Sequence, residues 1–192
     1  MSVKRSNLFN NLNSNKPMLD KDVMMNLLHE IDDAVGSLNV KLNLDIYGGA
    51  VMCAVHNSRQ FTEDIDACYR NFDIVEPLIK SLADKYNLPN DWLNNNVEDI
   101  KSSLITEDMI SMEGFKNISI RYPSAEQMLA LKLYASRLSP KSDLRDAIYL
   151  AKELNVTSFS QLDNILRKFI YSDALSSRQE NFIKIVEREL NK

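Results

Sequence analysis

Several things that would narrow the function at once are scarce in this chain. Its 192 residues include two cysteines, two histidines, four glycines, five prolines and one tryptophan. Cys53 and Cys68 do not form a Cys-x-x-Cys pair, which argues against a structural zinc site. Both sit in apolar runs and read as buried thiols of a protein in a reducing, cytoplasmic setting. No apolar run approaches the roughly 18–20 residues that span a bilayer, so no membrane association is expected. The N-terminal stretch MSVKRSNLFNNLNSNKP has basic residues but lacks the apolar segment of a secretory signal; residues 1–19 read as a flexible polar arm. A basic excess is missing too. The net charge of −4 argues against a protein that coats nucleic acid non-specifically.

What is present suits a globular chain of one domain or two small lobes: 44% hydrophobic and 26% charged residues. Charge is uneven along it. Residues 57–100 hold nine acids and four bases. Residues 116–145 are net positive, through Lys116, Arg121, Lys132, Arg137, Lys141 and Arg145. That pairing fits a cation on one side and phosphates on the other, and it also fits ordinary surface variation.

Hydrophobic periodicity predicts an α+β chain. Asp20 N-caps a helix over 21–36. Leu42, Leu44 and Ile46 alternate with polar residues, so 41–47 reads as a strand. Ala50–Val55 reads as a short buried helix, 57–63 as a loop and 64–69 as a second strand. A helix from Phe72 to Tyr86 ends before Pro89. Residues 96–112 are ambiguous, with an edge strand expected around Leu104–Ile105. Ile118 and Ile120 mark a third strand, and everything after Pro123 reads as helical, with helices reaching about 138, 154, 171 and the C-terminus. The organisation expected is an α/β lobe over 20–122 followed by a helical lobe over 123–192. Trp92 reads as a core anchor.

The chemistry concentrates in Tyr47–Tyr69, YGGAVMCAVHNSRQFTEDIDACY. Gly48-Gly49 closes the first strand and permits a sharp turn with positive φ, where backbone N–H groups can approach phosphates. Ser58 and Arg59 in the loop can contact phosphates as well. Asp64 and Asp66, two apart on a strand, point to one face. As hard oxygen donors they suit Mg²⁺ or Mn²⁺, with the phosphates of a nucleoside triphosphate completing the shell. The same residues taken singly also fit a plain turn and a solvated strand edge.

Their order resembles a family. Gly48-Gly49, a short helix and Arg59-x-x-Thr62-x-Asp64-Ile65-Asp66 are similar to the nucleotidyltransferase superfamily with the DNA polymerase β-like fold. The resemblance is nearest to small bacterial and phage nucleotidyltransferases. Three further blocks match that group: Leu88-Pro89-x-Asp91-Trp92-Leu93-Asn94, the run from Pro123 through Lys132 to Arg137, and Asp143-x-x-Asp146-x-x-x-Leu150. Together they cover about residues 42–155.

The resemblance implies a polymerase β-like lobe followed by a helical lobe. It also implies Mg²⁺-dependent transfer of a nucleoside monophosphate from an NTP to an acceptor hydroxyl of RNA (tRNA among related toxins), a protein or a small molecule. Asp64 and Asp66 would hold the metal, with Gly48, Gly49, Ser58, Arg59 and Thr62 around the nucleotide. The group is related to the nucleotidyltransferase toxins of type IV toxin–antitoxin and abortive-infection systems, which adds a cognate antitoxin as a partner. In those toxins a lysine and an aspartate of the helical half complete the site; Lys132 and Asp146 match, with Asp143 as the alternative carboxylate. One departure stands out. Many such enzymes carry a third carboxylate on a later strand, and Ile118-Ser119-Ile120-Arg121 has none. A non-catalytic nucleotide-binding or interaction module on the same fold therefore stands beside the enzyme.

Overall fold

The computed structural model describes residues 17–138, 142–171 and 174–192. The expected arm lies, up to residue 16, outside the described residues. In chain order the elements are α1 (Lys21–Ser37), β1 (Leu42–Tyr47), α2 (Gly48–Ala54), β2 (Ile65–Tyr69), α3 (Phe72–Tyr86), β3 (Leu93–Asn94), α4 (Glu98–Lys101), β4 (Met109–Met112), β5 (Ile118–Pro123), α5 (Ala125–Ala135), α6 (Ser142–Glu153), α7 (Phe159–Phe169) and α8 (Ser177–Leu190). This is an α+β chain with a five-stranded mixed sheet of order β3-β2-β1-β5-β4. It divides into two compact units: residues 1–96 with 112–121, and residues 97–111 with 122–192. No helix among the described residues is long and apolar enough to cross a membrane.

In the first unit the strand pattern decides which face is buried. β1 pairs antiparallel with β2 and parallel with β5, and β2 pairs parallel with β3. Leu44, Ile46, Ile65 and Ala67 turn to one face and are buried. Helix α1 starts where expected, since the Asp20 carboxylate accepts the Val23 N–H at 2.8 Å. It buries Met24, Leu27, Leu28, Ile31 and Val35. Each such side chain contributes about 1.5–3 kcal/mol relative to full exposure. Trp92 is fully buried and donates its indole N–H to the Ile79 carbonyl at 3.0 Å.

Asp32 fixes where β5 begins. It is buried on α1, and its carboxylate accepts the backbone N–H groups of Lys116, Asn117 (2.6 Å) and Ile118 (2.8 Å). Burial works to raise its pKa. The N–H groups of Asn117, Lys116 and Ile118, with the nearby charge of His29, outweigh that and hold it below the ordinary 3.8.

The second unit is built around α5, which packs against α6, α7 and α8. Every residue of α5 from Gln127 to Leu133 is buried, as expected of a helix enclosed on all sides. Ser158 and Ser176 form capping boxes with Gln161 and Gln179 at the starts of α7 and α8.

Four boundaries differ from expectation. Helix α2 begins at Gly48, so the glycine pair belongs to the helix. Strand β2 begins at Ile65, which leaves Asp64 just ahead of it. The strand expected at Leu104–Ile105 lies at Met109–Met112 instead; Leu104 makes an isolated bridge to Ile170, and the Ile105 N–H donates to the Phe169 carbonyl at 2.9 Å. Helix α5 stops at Ala135 because Ser136 takes a left-handed φ of 45°, which ends the helical hydrogen-bond ladder.

Candidate functional site

In the first unit, strand register assembles a polar face opposite the apolar one. Tyr47 of β1 stands beside Asp66 of β2, and Asp66 beside Asn94 of β3. Asp45 of β1 stands beside Cys68 and beside Arg121 of β5. Directly paired residues share a face, so Asp45, Tyr47, Asp66, Cys68, Asn94 and Arg121 lie on one side of the sheet. Asp64 belongs with them, because the Asn94 amide donates to its carboxylate at 3.4 Å. Both aspartates of the Asp-x-Asp pair are half-buried.

The glycine turn meets this face at contact distance. Gly48 has φ +65°, and a Cβ there would stand 2.6 Å from Oδ2 of Asp66. Glycine is thus required twice, for the left-handed backbone and for the approach of the carboxylate. At Gly49 a Cβ would meet the Thr62 hydroxyl at 2.4 Å and Nη1 of Arg59 at 3.0 Å. Thr62 is held by a backbone bridge to Leu19, N to O at 2.9 and 2.7 Å. Gly48, Gly49, Arg59, Thr62 and Asp66 therefore come together at the start of α2. Ser58 does not join them through its proton, since its hydroxyl donates to the Met52 carbonyl within α2 at 3.1 Å.

Lys132, Asp143 and Asp146 form a second charged group, in the second unit. Asp143 and Asp146 stand one turn apart on α6. Nζ of Lys132 lies 2.6 Å from Asp143 and 2.8 Å from Asp146, and all three side chains are at most 5% exposed. Both candidate aspartates thus face the lysine, which is enclosed rather than solvent-facing. Arg137, more than half exposed, donates its Nε–H to the other oxygen of Asp143. Burial works to raise the Asp143 pKa, but the Lys132 charge and the hydrogen bonds from Lys132 and Arg137 hold it below 3.8. A cavity of about 510 Å³ in the same unit is lined by Tyr134, Ser136, Tyr171, Leu175, Arg178 and Gln179, among others. None of the site residues expected from the sequence lines it.

Sequence reasoning missed Asn94 and Asp45. Asn94 lies within a matched block, yet only β3 pairing places it beside Asp66 on the polar face. Asp45 reads as the polar member of an alternating strand; an acid two residues before Tyr47-Gly48-Gly49 was the signal available. Among the described residues, no group of three or more His, Cys, Asp or Glu side chains is arranged to hold a metal ion. Asp64 and Asp66 fit Mg²⁺ only in the way that ion is often held, by one or two carboxylates with phosphates and water.

No protein-family model matches the chain, and no curated protein matches it. A solved structure does: the crystal structure of an antigenic nucleotidyltransferase-like protein from Paracoccidioides brasiliensis. The likeness covers 78% of this chain and 88% of that chain, at a TM-score of 0.44 and 16% identity. Overlap of that extent leaves fold family and activity to be argued from this chain's own residues.

Proposed function

We propose that the first unit binds a nucleoside triphosphate with Mg²⁺ and transfers its nucleoside monophosphate to an acceptor hydroxyl. The observation that supports this best is the contact of Gly48 with Asp66, which sets a glycine-opened helix directly against a half-buried carboxylate. Asp64 and Asp66 would hold Mg²⁺, which when bound lowers the charge barrier at the α-phosphorus. Gly48 and Gly49 let the side chains of Asp66, Thr62 and Arg59 close on the backbone at the start of α2, where the nucleotide phosphates would lie. Arg59 supplies a permanent cation and Thr62 a hydroxyl next to Gly49. In the transfer the acceptor oxygen bonds to the α-phosphorus, the bond to the bridging oxygen breaks and pyrophosphate leaves. The hydroxyl proton passes to a carboxylate of the face or to water.

Lys132 and Asp146 are proposed to assist the transfer on the resemblance alone; within the second unit they form a buried charged group with Asp143, which also holds the guanidinium of Arg137. The acceptor is RNA, a protein or a small molecule, and a role as the toxin of a toxin–antitoxin pair with a cognate antitoxin is the biological setting proposed. A second reading, nucleotide binding without transfer, is favoured by one observation: the two aspartates are joined by no third acid in a metal-holding cluster among the described residues.

The test is transfer of label from each α-labelled NTP, with Mg²⁺, to total tRNA or to a cell lysate. Labelled acceptor, lost in Asp64→Ala and Asp66→Ala variants that melt like the wild type, is the outcome expected. Binding of NTP with no labelled acceptor across a broad panel would instead favour the module. Absence of any NTP binding would end both readings.

A further inference from the structure

Asn94 stands beside both carboxylates of the Asp-x-Asp pair. Parallel pairing of β2 with β3 sets it directly next to Asp66, on the same face of the sheet. Its amide reaches Asp64 as well: Nδ2 donates to the Asp64 carboxylate at 3.4 Å and to the Asp91 carbonyl at 3.3 Å. The side chain is buried, at 8% exposure. The Asn96 N–H donates to its Oδ1 at 2.9 Å. That bond fixes which end of the amide points where, because a backbone N–H bonds only to the oxygen end. The strand is anchored next door, where the Ile65 N–H donates to the Trp92 carbonyl at 2.7 Å.

This orientation has a chemical consequence. Mg²⁺ and Mn²⁺ are held by oxygen. The end of Asn94 that meets Asp64 is an NH₂ group, which donates hydrogen bonds and does not ligate such an ion. Its oxygen end is engaged by the backbone. An aspartate has nearly the same shape and would bring a third carboxylate to Asp64 and Asp66. With asparagine in that place, Asp64 is steadied by a neutral donor. Among the described residues no group of three acids is arranged to hold a metal ion. Two carboxylates hold Mg²⁺ weakly until phosphate oxygens and water complete its shell.

We infer that the cation enters this face together with the nucleotide rather than ahead of it, and that Asn94 sets this order by placing a neutral donor where a third acid would stand. This rests on the nucleotide-binding reading above. Asn94 is then a positioning residue for Asp64.

The test is Mn²⁺ titration of the full chain at pH 8, read by electron paramagnetic resonance, with and without a non-hydrolysable α,β-methylene NTP. The wild type is expected to bind the Mn²⁺–analogue complex at least tenfold more tightly than Mn²⁺ alone. Asn94→Asp is expected to bind Mn²⁺ alone at least tenfold more tightly than the wild type does, and Asn94→Asp/Asp64→Asn to lose that gain. Asn94→Ala removes the amide and adds no acid, so it should show no gain and should bind the Mn²⁺–analogue complex about fivefold more weakly. A disturbed loop does not produce a gain in affinity. Three results would overturn the inference and leave the nucleotide site standing: wild-type protein that binds Mn²⁺ alone as tightly as with the analogue, a normally melting Asn94→Asp with no gain, or undiminished binding by Asn94→Ala. No binding of Mn²⁺ or analogue by the wild type would remove the site itself and the inference with it. If Asn94→Asp does not fold, the wild-type and Asn94→Ala titrations still decide.

Discussion

The two units handle charge in opposite ways. In the second, Lys132, Asp143 and Asp146 are sealed together in the interior, and each charge meets an opposite one within 2.8 Å. In the first, Asp64 and Asp66 are half-buried, and side chains of Asp66, Thr62 and Arg59 crowd the backbone at Gly48 and Gly49. Removing one member of an enclosed group strands the others, whereas a half-open carboxylate stays solvated when its surroundings change. The contrast is one of burial: three charges enclosed together in the second unit, two half-open to solvent in the first.

The sharpest way to break that comparison is at Lys132. Lys132→Met removes the cation shared by two buried carboxylates, leaves Asp143 the Arg137 guanidinium, and should cost about 3–5 kcal/mol, measured by urea unfolding. Replacing Lys132, Asp143 and Asp146 together by apolar residues of similar size should cost less, since no charge is then stranded. A loss near zero in Lys132→Met would show that the cluster is not sealed in solution.

Gly48→Ala tests the other side. A left-handed backbone with a side chain costs about 1–2 kcal/mol, and the added Cβ would push Asp66 aside. Stability should fall by about that amount, while binding of Mg²⁺ and nucleotide should fall at least tenfold in the same titration. Asp66→Asn should lose the binding with a stability change under about 1 kcal/mol, because the replacement keeps the size and shape of a half-buried side chain. An unfolding penalty as large as that of Lys132→Met would place Asp66 among the structural charges.

A graded effect should follow pH. The folded-state pKa values of Asp32 and Asp143 lie below 3.8. Their contribution is therefore present above the unfolded carboxylate value and lost as pH falls below about 3.8 toward the folded values. Urea midpoints at pH 5 and pH 3 should differ less in Asp32→Asn and Asp143→Asn than in the wild type. An equal drop in all three proteins would assign the acid sensitivity to other groups.

The smallest change is expected at the exposed pair Arg167–Asp163, an i,i+4 contact at 2.9 Å on α7. Asp163→Ala should alter stability by no more than about 0.5 kcal/mol. Its comparison with Lys132→Met measures what burial adds to an ion pair.

The amino-acid order of this chain determined its local elements. Asp20, Ser124, Ser158 and Ser176 N-cap the helices that follow them, because a cap depends only on residues within one turn. The alternation of Leu42, Leu44 and Ile46 likewise sufficed for β1. The motif from Gly48 to Asp66 was legible for the same reason: a turn, a short helix and an Asp-x-Asp pair are all local. Tertiary structure decided the rest. β3 is two residues long and exists through pairing with β2, which no periodicity records. Only the fold shows that the Ser58 hydroxyl donates to the Met52 carbonyl. Lys132 carries the signature of a surface residue, and only the packing of α6, α7 and α8 about α5 makes it an interior charge. Asp45 and Arg121 are 76 residues apart in sequence; the parallel pairing of β1 with β5 alone makes them partners. Local interactions are written in the spacing of neighbouring residues, whereas burial and register arise only when distant segments choose one another.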